Sequence, residues 1–210
     1  MTQYFISIDK DSVSQMPAVT YNGKITLVDT PEKARLALKK LEKQKIVGFD
    51  TETRPAFRKG VIHNVALIQI ATLTDCYLFR INIIGISERL KRFLETDDTI
   101  KIGLSLRDDF NSLRRSTELE PKGFVELQDL VRSYKITDSS LRKIYAIIFG
   151  ERISKHQRLT NWEAPELTPA QQNYAAIDAW ACLKIHNYLT ANQFDPSRSP
   201  HLHPIESETI

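Results

Sequence analysis

The chain has 210 residues, of which 41% are hydrophobic and 26% charged; this ordinary globular usage excludes collagen-like, low-complexity and wholly disordered classes and suffices for one sizeable core. Its 29 Lys and Arg against 26 Asp and Glu give a net charge of +3, so no global field marks a nucleic-acid partner and any such role must rest on a site. No apolar run reaches the roughly 20 residues of a membrane span, and the opening MTQYFISIDKDSVSQMP lacks a secretory pattern.

The first 25 residues, with Pro17 and an Asn22-Gly23 turn signal, support a leading strand or hairpin. From Pro31, Ala34, Ala37, Leu38 and Leu41 recur at helical spacing with Lys and Glu between them, predicting an amphipathic helix that covers a sheet. KIVGFDTET reads as a strand ending in carboxylates, and NVALIQIAT and CYLFRI follow as two more strands of a hairpin-connected sheet. ISERLKRFL is helical, IKIGL a strand, and a helix begins near Ser105, with Asp108 three residues later suggesting a capping box. A short strand at Phe124 to Glu126 precedes two helical segments, DLVRSYK and SSLRKIYAIIFG, the second closed by Gly150. The basic, proline-containing ERISKHQRLTNWEAPEL reads as a loop. Thr168, Pro169 and Gln171 then supply an N-cap, an N1 proline and a capping-box partner for a long helix through Leu189. Beyond about Asn192 the Pro- and Ser-rich stretch predicts a mobile tail over 193–210. Hairpin strands followed by strands alternating with helices imply a single α/β domain over 1–192, a mixed sheet covered by helices. Cys76 and Cys182 lack metal-ligand spacing and lie in apolar segments, so packed, reduced thiols and a cytoplasmic location are expected.

In IVGFDTET the strand period of two puts Asp50 and Glu52 on one side, roughly 7 Å apart. Such a pair is either a strand end screened by solvent or the ligand set of a hard divalent cation. Asp108 and Asp109 point about 100° apart around their helix. Asp109 shares a side with Leu106 and Leu113 and is the inward candidate, whereas Asp108 is placed to serve the helix N-terminus. Tyr174 and Asp178 lie one turn apart on a face with Ala181 and Cys182, so Asp178 is either a buried acid satisfied by the phenol or backbone, or part of a site. Taken together, four acids from a strand and two helices, with a tyrosine, are able to converge on two divalent ions and cleave phosphodiesters.

FDTET with NVALIQIAT, GLSLRDDFNSL, and LTNWEAPELTPAQQNYAAIDAWACL resemble, in order, the three motifs of the DEDD superfamily of 3′-to-5′ exonucleases, in the tyrosine branch that includes ribonuclease D and the Werner-syndrome exonuclease. The resemblance covers nearly the whole folded chain. It implies an RNase-H-like fold, two Mg²⁺ or Mn²⁺ ions, and removal of nucleoside 5′-monophosphates from the 3′ end of a single-stranded or otherwise 3′-ended DNA or RNA. It also implies that Asp50 bridges both ions, Glu52 and Asp178 complete the first site, Asp109 holds the second through water, and Tyr174 orients the attacking water. One departure is Asn111, which stands two residues after the second-motif aspartate where the Werner type carries tryptophan. A scaffold that binds nucleic acid or protein without turnover is the alternative on the same fold, and an endonuclease or phosphatase is a further one.

Phe57 and Arg58, just after the first motif, are candidates for base stacking and phosphate contact, or for an ordinary surface loop. Arg114, Arg115, Arg152, Lys155 and Arg158 could form a basic track, with at least one of the helical pair a solvated charge. His156 reads as a solvated loop residue, and Trp162 and Trp180 as core.

Overall fold

Strand β1 (Tyr4–Ile6) and helix α1 (Lys10–Gln15) lead into β2 (Lys24–Val28) and α2 (Pro31–Leu41), after which come β3 (Ile46–Thr53), β4 (Val65–Ala71) and β5 (Asp75–Phe79). Then follow α3 (Ile81–Ile84), α4 (Glu88–Leu94), β6 (Ile100–Gly103), α5 (Leu106–Leu113), β7 (Phe124–Glu126), α6 (Leu127–Ser133) and α7 (Leu141–Phe149). The long α8 (Pro169–Thr190) precedes a 3₁₀ turn at Pro196–Arg198 and β8 (Leu202–Pro204). The computed structural model describes residues 3–58 and 60–205.

Six strands form one mixed sheet in the order β2-β5-β4-β3-β6-β7. The consecutive β3, β4 and β5 pair antiparallel as expected from their short connections, while β2, β6 and β7 join in parallel through helical crossovers. All seven residues of β4 are buried, because helices cover both faces of the sheet. On one face Ala66, Cys76, Leu78 and Ile102 meet α6, α7 and α8. On the other, Val47, Phe49, Ile68 and Ile70 meet the apolar stripes of α2, α4 and α5. This is the expected mixed α/β architecture, and both cysteines are buried and free. No helix among the described residues is long and apolar enough to cross a membrane.

The capping box of α8 forms as read: Gln171 N–H donates to Thr168 Oγ1 at 3.2 Å and Thr168 N–H to Gln171 Oε1 at 3.0 Å, a cap typically worth about 1 kcal/mol. Gly150 closes α7 in the left-handed region, φ 69°, and donates to Ala146 O. Of the strand or hairpin expected over the first 25 residues the strand forms, since β1 pairs with β8 while β2 enters the sheet beside β5. Two expectations are corrected. Of the stretch expected as a mobile tail over 193–210, residues 206–210 lie outside the described ones, while Leu202–Pro204 pairs antiparallel with Tyr4–Ile6 and His203 stacks on Phe5 with centroids 5.2 Å apart. The physical reason is non-local, because backbone ladder bonds and one aromatic contact need no apolar periodicity in the returning segment. Nor does Ser105 cap α5 with its side chain; it sits in the left-handed region at φ 62°, and another residue takes the capping role.

Candidate active site

Asp50 and Glu52 project from the end of β3 on the side facing α8, on the same face as Gly48. Gly48 decides how near that helix comes. A Cβ there would lie 1.9 Å from Ala179 O, so only glycine lets the α8 backbone rest directly on the strand. Ala175, Ala176, Ala179, Ala181 and Cys182 are all buried and keep the contacting helix surface small. Asp178, one residue before the contact, is thereby brought to Asp50 and Glu52, and one carboxylate oxygen from each of the three lies within 4.8 Å of the others.

Asp109 lies outside this group of three, on the opposite side of the strand, though its charge is felt by Asp50. Thr51, pointing away from Asp50 and Glu52, donates its hydroxyl to Asp109 Oδ1. Asp109 is half-buried and Asp108 exposed, the division expected from their helix faces. What orients α5 is Glu126 at the end of β7. Its Oε1 accepts from the Ser105 and Gln128 N–H groups at 3.1 and 3.0 Å, and its Oε2 from Leu106 N–H at 2.9 Å. A carboxylate supplied from another strand thus takes the Ser105 N–H that the Asp108 side chain of a capping box would have taken, together with the free N–H of Leu106. Sequence inspection missed it because nothing local links Glu126 to α5.

Crowding shows in the ionisation of the acids. Asp50 is raised well above the usual carboxylate range, first by burial and then by the charges of Asp109, Asp178 and Glu52. Burial followed by Asp178 and Asp109 pushes Glu52 up to about 9, with Arg158 opposing. Asp109 rises to about 7 through burial, against the Thr51 hydrogen bond, and Asp178 rises to about 7 through burial, against its hydrogen bond from Tyr174. In all four acids burial, and in Asp50 and Glu52 also repulsion from the other acids, favours the protonated form over the charged one. The donor set fits a hard divalent cation, because such an ion takes carboxylate oxygens and cancels the repulsion.

Groups with folded-state values raised above their unfolded values of about 4 contribute stability that is complete below pH ~4 and lost as pH climbs through ~7 to ~9. In chelator, the melting temperature is therefore expected to fall between pH 5 and 9, and added Mg²⁺ or Mn²⁺ at pH 8 to recover it. A melting temperature that is flat or rising over that interval in chelator would contradict this electrostatic picture.

A cavity of about 430 Å³ contains Asp50, Tyr174, Asp178 and Cys182, and is walled by Lys10, Arg142, Lys143, Lys155 and Arg158 among others. Of the expected basic track, Lys155 and Arg158 lie here. The rest are engaged elsewhere: Arg114 Nε donates to Leu119 O, Arg115 Nη2 to His63 O, and Arg152 Nε to Met16 O. His156 is exposed on its loop. A second cleft, of about 340 Å³, lies past the end of β3 and is lined by Arg54, Phe57, Arg58, His63 and Leu159, with Phe57 81% exposed. Trp162 is fully buried, tilted against Tyr174 at 6.1 Å, and Trp180 packs on Tyr21 and Tyr145, so both tryptophans belong to the core. The loop before α8 is pinned by Arg80 to Ala164 O at 2.5 Å and by Gln171 Nε2 to Thr160 Oγ1 at 3.1 Å. Lys10 and Arg142 escaped sequence inspection, since neither falls in or beside a motif.

A family model described as 3′-5′ exonuclease matches residues 25–192. The bifunctional 3′-5′ exonuclease/ATP-dependent helicase WRN of Mus musculus is 32% identical over 172 residues, covering 77% of this chain and 12% of that protein. An exonuclease mut-7 homolog of Aedes aegypti is 25% identical over 219 residues, covering 89% of this chain and 30% of that protein. The chain thus spans less than a third of the length of either relative. Among solved structures, the Aedes aegypti Nibbler EXO domain superposes with a TM-score of 0.75 at 24% identity, over 86% of this chain and 96% of that one.

Proposed function

The chain belongs to the 3′-5′ exonuclease family, of the DEDD type, and from that premise we propose that it hydrolyses the terminal phosphodiester at the 3′ end of a single-stranded nucleic acid and releases a nucleoside 5′-monophosphate. The observation that carries the reading is the convergence of Asp50, Glu52 and Asp178 within 4.8 Å, from a strand and a distal helix.

Asp50, Glu52, Asp109 and Asp178 would hold two divalent cations, Mg²⁺ or Mn²⁺. Bound there, the cations supply positive charge that acidifies the attacking water and offsets negative charge gathering on the phosphate. The chain's own groups do the rest. Tyr174, fixed beside Asp178 by its ring contact with Trp162, orients the water through its hydroxyl. Burial and the acids around Tyr174 raise its phenol, so it stays protonated as a hydrogen-bonding group. Arg158, near enough to Glu52 to lower its carboxyl, shares the cavity with Asp50 and neutralises an incoming phosphate. Water oxygen bonds to phosphorus, the bond from phosphorus to the 3′ oxygen of the preceding nucleotide breaks, and that oxygen leaves with a proton as the new 3′ hydroxyl.

The test is digestion of 5′-labelled single-stranded DNA and RNA with Mg²⁺, Mn²⁺ or chelator, beside a 3′-blocked strand and a circular one. Stepwise shortening from the 3′ end, dependence on metal, and 5′-monophosphate product are expected, with the blocked and circular strands resistant. Equal digestion of circular and linear strands would mean an endonuclease, and binding without turnover in either metal would mean a scaffold.

A further inference from the structure

Four cations on the wall of the acidic cavity come from separate places: Lys10 from α1, Arg142 from the first turn of α7, and Lys155 and Arg158 from the loop after α7. Among the described residues none of the four has a carboxylate within ion-pair distance. Arg142 Nε is moreover buried with no hydrogen-bond partner. Their neighbour Lys143 differs, being paired with Asp138 at 2.6 Å. The buried acids at the floor of the cavity attract these cations without pairing with any of them, and Arg142 also sits at the helix end whose dipole disfavours positive charge. Phosphate oxygens seated among the cations would supply the partners they lack and offset that unfavourable placement.

Lys10 is held at the cavity by an N-terminal arm that precedes the span matched by the family model. Residues 3–19, like β8, lie outside the matched span of 25–192. The arm is fastened at both ends of α7. Ahead of that helix, Ile8 N–H donates to Asp138 Oδ2 at 2.9 Å and Thr137 N–H to Ile6 O at 3.0 Å. Behind it, Arg152 N–H donates to Pro17 O at 2.8 Å and Val19 N–H to Arg152 O at 3.0 Å, immediately before the loop that bears Lys155 and Arg158. Ile6, Ile8 and Val13 are buried in the core, and β8 ties down the far end through β1. The arm therefore both contributes Lys10 and braces the segments that carry the other three cations.

We propose that this arm is a phosphate clamp: Lys10, with Arg142 and Lys155, binds the non-bridging oxygens of phosphodiesters internal to the 3′ end of a single strand. The grip then extends past the terminal nucleotide, with a lysine from the N-terminal arm setting how much strand is held. The proposal rests on the exonuclease reading of the acidic site.

The test uses the full chain and fluorescence anisotropy with a fluorescein-labelled ten-nucleotide single strand in Ca²⁺, over a salt series, together with turnover in Mg²⁺ and Mn²⁺. Lys10→Glu is expected to weaken binding about tenfold, and Lys10→Ala and Arg142→Ala each to reduce the slope of log affinity against log salt by about 0.7, the loss of one phosphate contact on a single strand. Lys10→Arg should restore both quantities. Affinity for a nucleoside 5′-monophosphate, which has no internal phosphodiester, should change less than twofold, and Lys39→Glu on the exposed side of α2 should behave as the parent. Parental binding and salt slope in both Lys10→Glu and Arg142→Ala, while the parent digests the strand, would overturn the clamp and leave the exonuclease reading standing. Loss of binding in the variants with no digestion by the parent would keep the clamp and overturn the exonuclease reading.

Discussion

Asp50→Asn and Asp178→Asn are each expected to lower turnover by about 10³-fold, the scale on which removal of preorganised electrostatic stabilisation is felt, while raising the melting temperature of the protein in chelator. The two effects share one cause. Asp178 is 9% exposed and its charged form is penalised by burial, and Asp50 carries that penalty together with repulsion from three other acids. Replacing either by a neutral isostere relieves the metal-free protein and disables the site that the repulsion makes ready for cations. If a carboxylate costs about 1 kcal/mol uncompensated, the gain is roughly 2 to 4 °C for a chain of this size. Asp109→Asn should follow the same pattern with smaller stabilisation, because its hydrogen bond from Thr51 partly offsets burial. Asp108→Asn should keep its activity and lose only an exposed charge near a helix N-terminus, about 0.3 to 1 kcal/mol. Melting curves in chelator, metal titration and steady-state cleavage on the four variants decide the matter. Near-parental turnover in folded Asp178→Asn, or an inactive Asp108→Asn beside an active Asp109→Asn, would overturn the assignment.

Tyr174→Phe removes one hydroxyl and should lower single-turnover cleavage by about 10² to 10⁴, the usual contribution of a positioned proton-transfer or water-orienting group. Its ring would still meet Trp162, and metal affinity should hold, since the acids are untouched. A purely structural tyrosine predicts a different result, a stability loss of around 1 kcal/mol with the rate intact. Because its hydrogen bond to Asp178 opposes the burial of that acid, the substitution should also raise the Asp178 carboxyl further and move the acid limb of the pH-rate profile upward. An unchanged single-turnover rate in a destabilised variant would remove Tyr174 from the mechanism.

The strand β3, the helix faces of α2 and α8, and the capping box at Thr168 were all legible in the sequence, because each depends on residues within a turn or two and on a fixed period. The same periodicities separated Asp109 from Asp108 and aligned Tyr174 with Asp178. The proposed acids were therefore identifiable as types on elements before any of them had a position relative to another. Missed were the groups whose effect depends on contact across long sequence separation: Gly48 under Ala179, Glu126 at the start of α5, and β8 against β1.

What the sequence by itself determined is the inventory of the strongly periodic segments, β3 to β6 and the helices α2, α4 and α8, with the carboxylates that stand on their faces, since local sterics, capping and hydrophobic period suffice for that. Only the tertiary structure decided that Asp50, Glu52 and Asp178 share a volume under 5 Å across, that Asp109 is held by Thr51 on the other side of the strand, and that Lys10 lines the same cavity as Asp50 and Asp178. The reason is that these distances are set by how closely two backbones approach, here by a missing Cβ at Gly48, and by which distant segment satisfies a free N–H group. Both are properties of the packed chain, with no period or spacing in the sequence to encode them.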